Sequence, residues 1–428
     1  MSATARGRRA EDGRTQKFGF RPRLTERASA TNSGFRRIRA GPRSGRSPPL
    51  QSEVRRAAII RLGLSEAPCC TNALKTAKKD SIQTPVCRVS HDRLPTMDDI
   101  SPQAFVDAAI AYQKTAAVKA AVELDLFTAI ADEHGDVKRI AERVKAAERG
   151  VRILCDFLTV HGFLQKETGQ YRLTPSTTAF LTTSSPAWMG SIVDFLAAPE
   201  MTALWLDDPA AFVRNGGAVG LGNIAPEHPV WVKFARAMAP FVTQTAQSIA
   251  QHVSARPQAP KRVLDIAAGH GLFGIAIAEA IPGAEIVATD WQPVLEVATQ
   301  NAAAAGVSSR YRTVAGSAFE VDWGTNFDLA LITNFLHHFD PPTCVELLSK
   351  VRRSLSPAGR ALAVEFVPDE DRVSPPFAAA FSFMMLASTP QGDAYTAREL
   401  EQMGREAGFS NVTVTPLPPS PQALVAFE

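Results

Sequence analysis

The chain has 428 residues, 45% hydrophobic and 21% charged, which places it among globular proteins large enough for two or three domains. Its net charge of +3 hides a division: residues 1–96 carry 21 Lys and Arg against 7 Asp and Glu, and the remainder 25 against 36. That acidic remainder argues against a nucleic-acid footprint. The lack of any run of 18 apolar residues argues against a membrane span.

Five cysteines are present, at Cys69, Cys70, Cys87, Cys155 and Cys344, without a C-x-x-C pair beside histidines. No zinc or other metal site is expected from them. Single thiols and the absence of a secretory apolar segment lead to an expected cytoplasmic location.

Residues 1–96 are rich in Arg, Ser and Pro and nearly devoid of apolar periodicity outside Val54–Leu64, so they are expected to form a disordered basic extension. Three readings stand: a nucleic-acid arm, an organelle transit peptide, or a stretch upstream of a translation start at Met97. The last is preferred, because Met97 directly precedes the first well-patterned helix.

Residues 97–185 read as an α-rich domain. Apolar residues recur at helical spacing from Phe105 to Phe127, and helices follow near Asp136–Lys145 and Glu148–His161. A β-hairpin is expected from Phe163 to Leu173 around Thr168-Gly169. Helix–turn–helix followed by a hairpin is a winged-helix pattern. Its readings are DNA binding or dimerisation. The candidate recognition helix offers only Arg149 and Arg152 beside two acids, which disfavours DNA.

Residues 186–258 are expected to be a helical, aromatic-rich region, a linker or a substrate wall with Trp231 and Phe234 among its aromatics, with a loop at Gly216-Gly217 and Gly220–Gly222 and a long helix over Trp231–Ser254. From 259 to the end the rhythm becomes strand and helix in alternation. Strands are expected at Arg262–Ile266, Glu285–Thr289, Tyr311–Ala315, Phe327–Thr333, Ala361–Val367, Val412–Pro416 and Ala423–Phe427. The fold class is α/β, a doubly wound Rossmann-like sheet closed by an antiparallel hairpin. Ligands of such sheets sit beyond the carboxyl ends of the strands.

The chemistry-bearing motif is Val263-Leu264-Asp265-Ile266-Ala267-Ala268-Gly269-His270-Gly271. Small residues let the backbone approach a ligand. Asp290 ends the next strand, placed to accept two ribose hydroxyls. Gly269 to Gly274 also matches the dinucleotide pattern G-x-G-x-x-G. Two features turn the reading from NAD towards S-adenosylmethionine: the carboxylate of Asp265 beside the loop, and the extra Ala267-Ala268 before the glycines.

Residues 97–428 resemble the family-2 small-molecule O-methyltransferases, which include caffeate-type plant enzymes, acetylserotonin O-methyltransferase and bacterial polyketide enzymes. The resemblance rests on Asp265 to Gly271, Asn334-Phe335-Leu336-His337-His338-Phe339-Asp340, Leu355 to Arg360 and the closing hairpin. It implies S-adenosylmethionine as cofactor, a small aromatic or polyketide-like hydroxyl acceptor, and a homodimer built by the first domain. It implies neither metal nor nucleic acid.

By the same resemblance, the cofactor residues are Asp265, Ala267, Gly269, Gly271, Asp290, Trp291, Ser317, Ala318, Phe319 and Asn334. His337 is the implied general base and Glu365 its orienting partner. Phe234, Met238 and His338 are placed around the acceptor. The chain departs from the pattern at Ala267, where the family has glycine, and at Ser317, where it has an aspartate for the adenine amino group. Ala394 stands near a second flanking glutamate of plant members, with Asp393 beside it as a substitute. The competing reading of His337 is a structural one, since methyltransferases without a histidine base also carry paired histidines there. The competing functions are another reaction on the same fold and a regulator that senses S-adenosylmethionine.

Overall fold

The computed structural model describes residues 101–218 and 228–428. The basic extension, its Val54–Leu64 patch, Cys69, Cys70, Cys87 and the glycines at 220 and 222 lie outside the described residues.

The first segment comprises α1 (Gln103–Ala109), α2 (Ala111–Glu123), α3 (Leu126–Asp132), α4 (Val137–Arg143), α5 (Glu148–Val160), the hairpin β1 (Leu164–Glu167) and β2 (Gln170–Leu173), and α6 (Pro175–Leu181). Its helices bury Leu126, Phe127, Ile140, Cys155, Leu158 and Tyr171 in one core. Thr168 and Gly169 both have positive φ, 48° and 86°, as a two-residue hairpin turn requires. Arg152 of α5 and Lys166 of β1 are occupied: both bind Asp156, at 2.8 and 2.6 Å.

Three short helices follow: α7 (Ile192–Leu196), α8 (Pro199–Leu206) and α9 (Pro209–Asn215). The long α10 (Pro229–Ser254) then packs Val242, Ile249 and Val253 onto the sheet domain.

The remainder is β3 (Arg262–Ile266), α11 (Leu272–Ala280), β4 (Glu285–Asp290), α12 (Gln292–Ala304), β5 (Tyr311–Ala315), β6 (Phe327–Thr333), α13 (Pro341–Ser354), β7 (Leu355–Glu365), α14 (Pro376–Ser388), α15 (Ala397–Glu406), β8 (Val412–Pro416) and β9 (Ala423–Phe427). The strands form one sheet in the order β5-β4-β3-β6-β7-β9-β8, with β9 antiparallel to both its neighbours. The chain winds outward from β3 to one edge, then returns to β6 beside β3. That reversal opens the crevice where ligands of such sheets bind.

Both faces of the sheet are covered. Leu264, Ile266, Ala330 and Ile332 face α13 and α15. Val263, Leu329, Leu331 and Val364 face α10 and α11. Alternate residues of the same strands therefore serve opposite cores, which explains the near-continuous apolar runs. The sequence places the start of the fifth strand at Ala361, whereas β7 begins at Leu355. Leu355 pairs with Phe327 and the ladder resumes at Arg360 with Leu329 after a register shift. Among the described residues, no helix is long and apolar enough to cross a membrane, and no group of acids, histidines and cysteines is arranged to hold a metal ion.

Candidate active site

Every expected cofactor or catalytic residue except Asp265 falls at or just past the carboxyl end of a strand. The glycine loop follows β3, Asp290 ends β4, Ser317 to Phe319 follow β5, Asn334 to His338 follow β6, and Glu365 ends β7.

The loop after β3 is shaped by backbone conformation. Ala267, Gly269 and Gly271 have φ of 50°, 58° and 75°. An L-residue in that region costs about 1–2 kcal/mol, which is why a glycine is usual where this chain has Ala267. A Cβ placed on Gly271 would lie 2.5 Å from Tyr311 Oη, so only glycine fits there. Beside Gly269, by contrast, the nearest atom is Ala267 O at 3.9 Å, leaving open space at the strand end.

Two carboxylates hold this loop. Asp290 accepts from the Gly269 N–H at 2.8 Å and from the Trp291 N–H at 2.7 Å. Burial pushes its pKa up to about 6. Asp265 lies beneath the loop with no exposed surface, and its Oδ2 accepts from the Gly274 N–H at 3.0 Å. Its Oδ1 has no partner. Asp265 thus supports the backbone from below through the first turn of α11.

Burial, reinforced by the charge of Asp290 and opposed by the Gly274 hydrogen bond, pushes Asp265 up to about 7. The folded protein then retains a proton that the unfolded chain has lost between roughly pH 4 and 7. This group therefore lowers stability as pH rises through that window. Asp265→Asn keeps an acceptor for Gly274 and removes the titration. The melting temperature of the ligand-free variant, minus that of the wild type, is expected to be larger at pH 8 than at pH 5. An equal difference at both would contradict the assignment.

On the neighbouring strands, Ser317 Oγ accepts from the Phe319 N–H at 3.2 Å, and Ala318 is buried. The Phe319 ring meets Phe339 edge-on at 5.1 Å, joining this turn to the segment after β6. Asn334 has φ of 55°; its N–H donates to Val364 O at 2.9 Å and its side-chain oxygen accepts from Gln422. Trp291 is half-buried against Val294 and Val297.

The second part of the site is a short turn, Leu336–His338. Glu365 Oε1 accepts from the Phe335 and Leu336 N–H groups, at 3.0 and 2.9 Å. Its Oε2 lies 2.5 Å from His337 Nδ1. Both residues are buried, at 5% and 3% exposure. Two backbone N–H groups already donate to this carboxylate, so an Nδ1–H donor completes the set and leaves the ring's lone pair on Nε2. Burial first, and then the neighbouring His337, hold His338 well below the usual histidine range.

Aromatic rings surround the pair. Phe381 of α14 meets His337 edge-on at 4.9 Å, and Trp231 meets His338 edge-on at 5.8 Å. Phe234, half-buried on α10, is edge-on to Trp231 at 6.3 Å, and Met238 lies one turn further along. Phe381 is a residue that sequence reasoning did not single out for this site, whereas Trp231 belongs to the aromatic stretch read as a linker or substrate wall. The only available signal for Phe381 was Phe377 four residues before it. Asp393 is turned elsewhere: it accepts from the Ala394 N–H at 2.8 Å and pairs with Arg372 at 3.3 Å.

Similarity to known proteins follows the same outline. Residues 208–410 match the sequence profile of the O-methyltransferase domain, and residues 106–183 that of the O-methyltransferase dimerisation domain. A solved structure of a Nostoc punctiforme protein assigned as an O-methyltransferase is 47% identical, has a TM-score of 0.73, and covers 77% of this chain and 99% of its own. The chain belongs to the O-methyltransferase family. Within it, the 3-hydroxy-5-methyl-1-naphthoate 3-O-methyltransferase of Streptomyces sahachiroi is 28% identical over 76% of this chain and 94% of its own length. Mouse acetylserotonin O-methyltransferase is 27% identical over 72% and 84%. The structure of PigF with S-adenosylhomocysteine is 25% identical, with a TM-score of 0.68, over 77% of this chain and 99% of its own. The family is S-adenosylmethionine-dependent, and the fold class expected from the sequence is the one observed.

Proposed function

We propose that this O-methyltransferase transfers a methyl group to a hydroxyl of a small aromatic or polyketide-like acceptor, with His337 as general base. The observation that carries the reading is the Glu365 carboxylate fixed by two backbone N–H groups and His337 Nδ1.

The residues present fit S-adenosylmethionine. Asp290 offers a carboxylate to a vicinal diol, the space beside Gly269 is open, and Ser317 to Phe319 provide a polar atom and an apolar wall for a nucleobase. The segments 267–271, 290–291, 316–319 and 334 contain no Lys or Arg, so no cationic side chain of theirs would face a pyrophosphate. Asp265, Ala267, Gly271, Trp291 and Asn334 shape this cradle. When bound, the cofactor supplies a methyl group on a cationic sulfur.

The chain's own part is positioning and proton transfer. His337 Nε2 takes the acceptor's hydroxyl proton, so that the oxygen attacks as a phenolate. Glu365 holds the ring and stabilises the imidazolium that forms. His338, kept neutral, adds no competing charge. Phe381, Trp231 and Phe234, with Met238 on the same helix, present the apolar rings against which an aromatic acceptor lies.

The relatives named for a naphthoate and for acetylserotonin support an aromatic acceptor. Exposed Phe105 and Val106 on α1, Ile110 at the junction and Tyr112 on α2, within or beside the matched dimerisation domain, support a homodimer. The pairing of Arg152 and Lys166 with Asp156 supports a domain that does not bind nucleic acid. Two buried free thiols, Cys155 and Cys344, suit a reducing cytoplasm.

The test is incubation with methyl-labelled S-adenosylmethionine and a panel of phenols, naphthols and polyketide phenols. Label is expected in an aryl methyl ether. Transfer to nitrogen or carbon acceptors alone would overturn the reading.

A further inference from the structure

On α13, outside the cofactor crevice, Lys350 Nζ lies 2.9 Å from Ala318 O, 3.0 Å from Phe319 O and 2.8 Å from Val321 O. The ammonium also stands over the buried Trp323 ring, 4.1 Å from its centroid. An ammonium has three donors, and here all three are spent on carbonyls of a single turn. The turn is closed on itself as well: the Glu320 and Val321 N–H groups both donate to Ser317 O at 3.0 Å. The turn is the one that follows β5 and carries Ser317, Ala318 and Phe319.

We propose that Lys350 is a positioning residue for the cofactor, fastening the turn 317–321 in the shape that receives the nucleobase. This rests on the reading of Ser317 to Phe319 as the nucleobase side of the crevice. The physical reason is that three carbonyls drawn to one cation cannot rotate separately. Flipping any peptide of the turn would abandon a charge-assisted hydrogen bond. The grip matters more in this chain than where an aspartate occupies the position of Ser317. A hydroxyl already engaged by the Phe319 N–H has no net charge with which to hold a nucleobase, so the turn must be correctly shaped before the ligand arrives.

Arg310 supplies a matched control. Its guanidinium also gathers carbonyls, those of Ala284 and Ala278 at 2.8 Å each and Ile281 at 3.4 Å, but at the end of α11 near the amino ends of the strands. Lys350→Met and Arg310→Met should both lower the melting temperature.

Only Lys350→Met should raise the dissociation constant of S-adenosylhomocysteine, by about tenfold in calorimetry. The KM for S-adenosylmethionine should rise in step, with kcat and the acceptor KM within about twofold of wild type. Lys350→Arg keeps the charge but replaces a tripod by a planar fork, and should fall between. If Lys350→Met does not fold, Lys350→Gln is read in the same way. Wild-type affinity in the folded neutral variant would overturn the proposal, as would an equal loss in Arg310→Met. Failure of the wild-type protein itself to bind S-adenosylhomocysteine would instead overturn the reading of the crevice.

Discussion

Replacing His337 by asparagine is expected to lower kcat by about 10²–10⁴-fold while the affinity for S-adenosylhomocysteine stays within about twofold. The ring is buried, its Nδ1 is committed to Glu365, and Nε2 is the atom left with a lone pair. Asparagine removes that lone pair without leaving a large void. Glu365→Gln is expected to produce a loss of similar size for a different reason. An amide has one acceptor oxygen where the carboxylate serves three donors, the Phe335 and Leu336 N–H groups and His337 Nδ1. Its NH₂ would also repel the Nδ1 proton and favour the tautomer in which Nε2 is blocked. Because the two residues act as a unit, the double variant should be little slower than either single one. Single-turnover rates at saturating cofactor measure this directly. Wild-type rates in His337→Asn would make the histidine a packing residue, and additive losses would separate the pair.

The second large effect is expected at Asp290. Its alanine variant deprives the Gly269 and Trp291 N–H groups of an acceptor and removes the carboxylate offered to a ribose diol. Hydrogen bonds to a charged group contribute about 1.5–3 kcal/mol each, so the cofactor dissociation constant should rise by roughly 100-fold or more. Asp290→Asn keeps one acceptor and should fall between. The KM for the acceptor should change little, since Asp290 ends β4 whereas the histidine pair follows β6. A Kd for S-adenosylhomocysteine unchanged in Asp290→Ala would remove that carboxylate from cofactor binding.

Most of the sheet was legible because its signals are local. A period of two, or a short apolar run bounded by turn residues, marks a strand in the sequence alone. Loop residues at strand ends then follow from the topology, and so the cradle around Gly269 and Asp290 could be assembled on paper. Other features were hidden. The run Pro376 to Ser388 is apolar nearly all round, so no period showed that α14 turns Phe381 towards His337. The start of β7 was misplaced because Ser356 to Gly359 looks like a turn, yet Gly359 passes so close to Phe327 O that a Cβ would sit 2.5 Å away. Gly392 is similar: a Cβ there would lie 2.2 Å from the His337 carbonyl. Close approaches of distant backbone segments leave no trace in composition. The orientation of Asp265 was unreadable for a related reason. Strand alternation assigns a face, but the Gly274 N–H that claims its carboxylate comes from the next helix.

The crevice between β3 and β6 is expected to bind an adenosyl ligand. Isothermal titration of the ligand-free protein with S-adenosylhomocysteine, and separately with NAD, tests it most directly. Saturable binding of S-adenosylhomocysteine, weakened in Asp290→Ala, is expected, with no heat from NAD. An absence of binding, or NAD binding as tightly, would contradict it.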